Sequence, residues 1–265
     1  MPEFSDHTVI DCHYHVRSAA NRQDIARLLE SAGLRALNLL SLSARGGVEL
    51  VENALALRLK ELFPGRTWAF GGLQYQPSVE ETSPGQLADH ARRLIEAGCD
   101  GIKMLEGKPT LRKKLGLALD APLLHEFYAW MEARQAPILF HVGDPATFWD
   151  PEQAPDWAQR QGWFYADGTF PSLAQLYEEV DGGLGAFPNL PVIFAHFYFR
   201  SDDIESACDF LAERPSVSFD ITPGSEMYRN FSRDRERWRE FFIAHQDRIL
   251  FGTDNAGGAG PADAT

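Results

Sequence analysis

No stretch of eighteen consecutive apolar residues occurs in the chain, so it offers no candidate membrane span. Basic tracts are missing as well. Lys and Arg number 25 against 38 Asp and Glu, a formal net charge of -13. Without a tract to neutralise phosphates, nucleic acid is excluded as the main partner. Cysteine is scarce: Cys12, Cys99 and Cys208 are far apart and odd in number. That argues against a disulfide framework and for thiols in a reducing, cytoplasmic setting. The opening MPEFSDH is polar and acidic, unlike a secretory signal. Neither H-E-x-x-H nor P-C-x-x-C appears, which removes the zinc-protease and nucleic-acid deaminase readings.

What is present is an ordinary globular composition, 44% hydrophobic and 24% charged over 265 residues, enough for one barrel domain spanning 1–265. Eight short apolar runs recur: 8–13, 34–40, 67–75, 101–105, 137–142, 191–196, 217–221 and 248–254. Helical stretches separate them. Ser83, Pro84 and Gln86 form a capping-box start, followed by Leu87, Ala91, Leu94 and Ile95 on one face. Asp120 is placed to cap the stretch with Leu123, Leu124, Phe127 and Met131, and Ser172 with Gln175 opens another helix. The segments 201–213 and 232–245 read the same way. Eight strands alternating with helices predict an α/β fold, a (β/α)8 TIM barrel. An open doubly wound sheet is the runner-up, weakened in its nucleotide-binding form because no glycine-rich loop follows the first run. The tail NAGGAGPADAT leaves no room for the last helix, so the expected barrel lacks it, as in a chain shortened relative to its parent.

Polar residues interrupt these runs at particular places. Asp11, His13 and His15 alternate along the first run and share one strand face. His141 and His196 end the fifth and sixth runs, Asp254 ends the eighth, and Lys103 lies inside the fourth. Strands covered on both faces otherwise favour aliphatic residues, and the C-terminal rim of a barrel is where its chemistry occurs. Imidazoles and a carboxylate converging there suit a divalent metal, Zn2+, Mn2+ or Fe2+, with Zn2+ expected first. Asp11 lies deeper, fitted either to orient a ring or to pack in the barrel. His7, His90, His125 and His245 are terminal or on helices and carry no site role.

The set D11-x-H13-x-H15, H141, H196 and G252-T253-D254 resembles the amidohydrolase superfamily, and within it the amidohydrolase-2 branch of hydrolases and decarboxylases. The resemblance runs over roughly 8–254. It implies that His13, His15, His141 and Asp254 hold the metal, and that His196 is a second-metal ligand or a catalytic side chain. In two-metal relatives a carboxylated lysine bridges the ions where Lys103 stands. The G-I-K context points instead to one metal, with Lys103 as an electrostatic or substrate contact. A homodimer is also implied.

Such a site is expected to hydrolyse an amide, lactone or ester of a small substrate through metal-activated water. Asp254 would carry the proton and His196 would hold the carbonyl oxygen or shuttle a proton. The alternative is non-oxidative decarboxylation of an aromatic or unsaturated acid, which needs a cation for a carboxylated substrate: Arg17, Arg45, Lys103 or Lys108. A non-catalytic metal- or ligand-binding barrel is the third reading. The long segment 143–169 is rich in aromatics, Trp149, Trp157, Trp163, Phe164 and Tyr165, and reads as a lid over a planar or apolar ligand, an interface, or a packed Ω-like excursion. Arg45, Trp149, Trp163 and Tyr165 are the expected substrate contacts. Asp220 and Glu226 either reach the site or cap the loop around Pro223.

Overall fold

The computed structural model describes residues 7–256 apart from 19, 32, 43–50, 76–77 and 225. Arg45 and the tail 257–265, with the question of a closing helix, lie outside the described residues. Eight strands form one parallel sheet in sequence order. They are β1 (Val9–His15), β2 (Leu34–Leu40), β3 (Thr67–Gly72), β4 (Gly101–Gly107), β5 (Ile138–Val142), β6 (Val192–Phe194), β7 (Val217–Asp220) and β8 (Ile249–Leu250). β8 and β1 do not share a regular ladder. The seam is crossed instead by single bonds, in which Cys12 N–H donates to the Phe251 carbonyl at 2.8 Å and His15 N–H to Asn255 at 2.7 Å. Asp254 N–H donates to His13 at 2.9 Å. The fold is a nearly closed (β/α)8-type barrel with one unsealed seam.

Two strands are shorter than the apolar runs that announce them. β6 stops at Phe194 because the next residues turn sharply, with His196, Phe197, Tyr198 and Phe199 all at φ between 51° and 57°. β8 pairs over two residues only, and the chain beyond it swings to the β1 edge, with Asp254 at φ 57°.

Among the described residues ten helices join the strands: α1 (Asn21–Ser31), α2 (Val51–Leu62), α3 (Pro84–Glu96), α4 (Pro109–Leu115), α5 (Pro122–Arg134), α6 (Asp156–Arg160), α7 (Leu173–Ala186), α8 (Ile204–Glu213), α9 (Met227–Arg233) and α10 (Arg235–Ala244). Ser83 and Gln86 do form the capping box of α3, which buries Leu87, Ala88, Ala91 and Leu94. The Ser172 hydroxyl accepts from Gln175 N–H at 3.0 Å at the start of α7. Asp120, expected as a cap, stands one residue too early: Ala121 is the N-cap of α5 and Pro122 supplies the preset φ of its first turn. The segment expected as one helix over 232–245 breaks at Asp234, whose side chain caps α10 by accepting from Arg237 N–H.

Strand alternation divides the core. Tyr14, Leu37, Leu39 and Ala69 pack outward with Ile25, Ala56 and Leu59 of the helices. Leu40, Phe70, Leu139 and Ala195 form a separate small cluster. Since Tyr14 faces outward, its neighbours His13 and His15 point the other way, into the barrel. Among the described residues no helix follows β8, and Ile10 on β1 and Phe251 just past β8 each keep 41% exposure. No helix among the described residues is long and apolar enough to cross a membrane.

Gly252 marks how tightly the seam is built. A Cβ there would stand 2.5 Å from Thr222 Oγ1 and 2.7 Å from His13 Cβ. Gly252→Ala is expected to cost about 1–3 kcal/mol of stability, read by urea denaturation. An unchanged midpoint would contradict this packing.

Candidate metal centre

β1 delivers Asp11, His13 and His15 to the barrel interior, all buried. The His13 ring is braced from across the barrel, its Nδ1 lying 2.7 Å from Asp220 Oδ2. The ionised carboxylate can only accept, so Nδ1 carries the hydrogen and Nε2 is left with its lone pair. That Nε2 lies 3.2 Å from His15 Nε2 and 3.4 Å from Asp254 Oδ1, and His15 Nε2 lies 3.0 Å from the same oxygen. Two imidazole nitrogens and one carboxylate oxygen thus converge in a three-residue cluster compatible with a divalent ion. His15 Nδ1 is buried with no hydrogen-bond partner among the described residues, so the ring's polar contacts run through Nε2, towards His13 and Asp254. A cation in the triangle would take the lone pair of that Nε2 and leave the hydrogen on Nδ1. The donor set therefore fits a metal.

The electrostatics follow from burial and crowding. Burial and the charge of Lys103 lower His13 to about 4, against the pull of Asp220. Burial likewise lowers His15. Burial would raise Asp254, but the His15 hydrogen bond and the charges of His13 and His196 hold it well below the usual carboxylate range. Although close to these rings, Asp254 keeps 41% of its side chain open to solvent.

Asp11 does not enter the cluster. Its Oδ1 accepts from His13 N–H at 3.0 Å and Thr253 N–H at 3.1 Å, and its Oδ2 accepts from the Thr253 hydroxyl at 2.6 Å. It fastens the G-T-D turn to β1 and so holds Asp254 beside His13. Asp220 has a comparable double duty, since its Oδ1 accepts from the backbone N–H of His196 at 2.8 Å and of Thr222 at 3.1 Å. The left-handed turn then brings the His196 ring to 5.5 Å from His13 and 4.9 Å from His141, centroid to centroid.

His141 stands apart from the triangle. Its Nε2 points to the Gly143 carbonyl at 3.0 Å and to Asp144 Oδ1 at 3.4 Å, and burial lowers it to about 3. Lys103 is 1% exposed, and its Nζ has no hydrogen-bond partner among the described residues. Burial lowers it to about 8, against the charges of Asp220 and Asp254. Arg17 is exposed. Lys108 is no solvated surface charge: its Nζ lies 2.7 and 2.8 Å from the two oxygens of Asp144.

A cleft of about 140 Å³ opens over these groups, walled by His141, His196, Asp254, Phe148, Trp157 and Trp163 among others. The segment 143–169 is folded rather than a bare loop, with a 3-10 turn at Ala146–Trp149 and α6 within it. Trp163 lines the cleft, whereas Trp149 and Tyr165 stand behind the wall. Trp149 Nε1 donates to the Pro171 carbonyl at 3.0 Å, and buried Tyr165 donates its hydroxyl to Asp144 Oδ2 at 2.5 Å. Glu226 meets the Thr147 hydroxyl at 3.2 Å, a contact between loops. Sequence reasoning missed Asp144, whose one signal is its position three residues past His141.

The chain belongs to the amidohydrolase family, whose amidohydrolase-2 model matches residues 10–257. No curated protein matches it significantly. Among solved structures it is similar to an amidohydrolase II, at 16% identity and a TM-score of 0.60, covering 93% of this chain and 87% of that one. It is also similar to 5-carboxyvanillate decarboxylase from Sphingomonas paucimobilis, at 14% identity and a TM-score of 0.59, covering 93% and 88%. A third is 2,6-dihydroxybenzoate decarboxylase in complex with 2,6-dihydroxybenzoate, at 15% identity and a TM-score of 0.56, covering 97% and 94%. At these identities the likeness establishes the fold.

Two expectations follow. Asp220→Asn keeps one acceptor oxygen for the His196 and Thr222 N–H groups and turns an NH2 donor on His13 Nδ1. It should therefore weaken divalent-metal affinity by about 10–100-fold in chelator competition; equal affinity would contradict the brace. The second concerns pH. His13 and His90 at about 4 and His141 at about 3 lie below the ordinary 6.5, and burial is the first cause for each. Above pH 6.5 the rings are neutral in both states. Below it the unfolded chain binds protons that the native state refuses. Metal-free protein should therefore lose stability steadily as pH falls from 6.5 towards 4, measured by urea denaturation. A flat profile would contradict the burial of neutral rings.

Proposed function

We propose that this chain is a metal-dependent, non-oxidative decarboxylase of a single-ring aromatic carboxylic acid. The observation that carries the reading is the cleft, where His196 and Asp254 share a wall with Phe148, Trp157, Trp163 and Phe199. Flat aromatic faces suit a planar ring better than a flexible amide chain. At about 140 Å³ the space is below the roughly 300–1,000 Å³ usual for drug-sized ligands, which favours one ring with few substituents. The names of two similar solved proteins, decarboxylases of 5-carboxyvanillate and 2,6-dihydroxybenzoate, support the same class. Together these rank decarboxylation above the hydrolysis first expected from the sequence.

His13, His15 and Asp254 would hold the metal ion. Bound there, a divalent cation supplies positive charge to the substrate carboxylate and steadies the charge that develops beside it. Asp220 keeps the His13 lone pair turned inward. Phe148, Trp157, Trp163 and Phe199 hold the ring flat. His196, as imidazolium, gives its proton to the ring carbon that bears the carboxylate. The bond from that carbon to the carboxylate then breaks, its electron pair returns to the ring, and carbon dioxide leaves. The neutral imidazole regains a proton from solvent, so each turnover consumes one carboxylate anion and one proton and yields one arene and one carbon dioxide.

The test is a panel of aromatic acids, lactones and amides offered to metal-replete protein, with carbon dioxide and arene measured together. Equimolar release from an aromatic acid is expected, with kcat reduced by about 10²–10⁴ in His196→Gln. Hydrolysis of a lactone or amide, with no carbon dioxide from any acid, would return the site to the hydrolases.

A further inference from the structure

Beside the triangle, a second charged group borders the same cleft. Lys108 follows β4 and Asp144 follows β5, with side chains 13% and 5% exposed. Asp144 is saturated: both its oxygens face the Lys108 ammonium, Tyr165 donates to Oδ2, and His141 Nε2 lies 3.4 Å from Oδ1. Lys108 is not saturated. An ammonium has three donors, and among the described residues Asp144 is its only hydrogen-bond acceptor. Nζ also lies 4.1 Å from the centroid of the Trp163 ring, so the indole face steadies it. Lys108, Trp163 and Asp254 all line the one cleft.

We propose that Lys108 is a specificity-determining residue, donating a hydrogen bond to a neutral oxygen substituent on the ring of the aromatic acid. The proposal rests on the aromatic-acid reading of the cleft. A brace between β4 and the 143–169 segment accounts for the ion pair, but not for a charged ammonium held at the wall of an aromatic slot with only a ring face, and no second acceptor among the described residues, beside it. The partner's chemistry follows from Asp144. Because it already balances Lys108, a second full negative charge on the ligand would meet its repulsion. A hydroxyl or carbonyl oxygen instead gains a charge-assisted bond with no such opposition. The acid's own carboxylate is left for the end of the cleft where Asp254 lies.

Binding without turnover tests this. Benzoate, its three hydroxy isomers and isophthalate are titrated into metal-replete protein by calorimetry. At least one hydroxybenzoate should bind about 10–100-fold tighter than benzoate, and isophthalate should show no such gain. In Lys108→Gln the gain, taken as the ratio of hydroxybenzoate to benzoate affinity within that variant, should fall to within about 3-fold. Should that variant fail to fold, Lys108→Gln with Asp144→Asn leaves no unpaired ion and carries the same measurement. A gain that survives loss of Lys108, a gain for isophthalate alone, or no gain in the unaltered protein overturns the proposal. Absence of carbon dioxide release, with the Lys108-dependent gain intact, would count against the proposed reaction and leave this assignment standing.

Discussion

The hydrogen bond from His13 Nδ1 to Asp220, 2.7 Å between two buried side chains, is the contact on which the rest of the site depends. It crosses from β1 to β7, sets which nitrogen of His13 carries its hydrogen, and turns the free lone pair towards His15 and Asp254. The other oxygen of the same carboxylate accepts from the His196 and Thr222 backbones, so one group also anchors the left-handed turn after β6. Burial alone would protonate such a carboxyl. The charge and hydrogen bond of His13 and the bond from Thr222 hold Asp220 far below its ordinary value, so it stays an acceptor.

Asp11 plays the corresponding part at the seam. β8 is too short to place Asp254 by a ladder, and the Asp11 bonds to Thr253 do so instead. Three carboxylates near one pair of imidazoles thus divide their work by geometry: one faces the other ligands and two hold the elements that carry them. Lys103 adds a buried cation to this acidic interior, where coupling to Asp220 and Asp254 offsets part of its burial cost.

Much of the fold was legible because its signal is local. An apolar run reports a strand and a cap reports a helix start, and eight runs with helices between them specify a barrel. The ends of β6 and β8 were not, since nothing in AHFYF or FGTD announces non-glycine residues at positive φ. Within the site, His13 and His15 were visible because polar residues alternate along a strand, and Asp254 because it ends another. Asp220 stayed undecided since its partner lies 207 positions away. Lys108 was a candidate cation by position alone and Asp144 was missed, because the two lie 36 positions apart and only the fold pairs them. The aromatic segment gave its composition but not its sidedness: Trp163 faces the cleft while Trp149 and Tyr165 face the protein.

All of this turns on whether the triangle of His13, His15 and Asp254 takes up a cation. The most direct measurement is the metal content of folded protein purified without chelators. The account predicts about one equivalent of a divalent transition metal per chain. Less than about a tenth of an equivalent, in protein whose fold is intact, would contradict it.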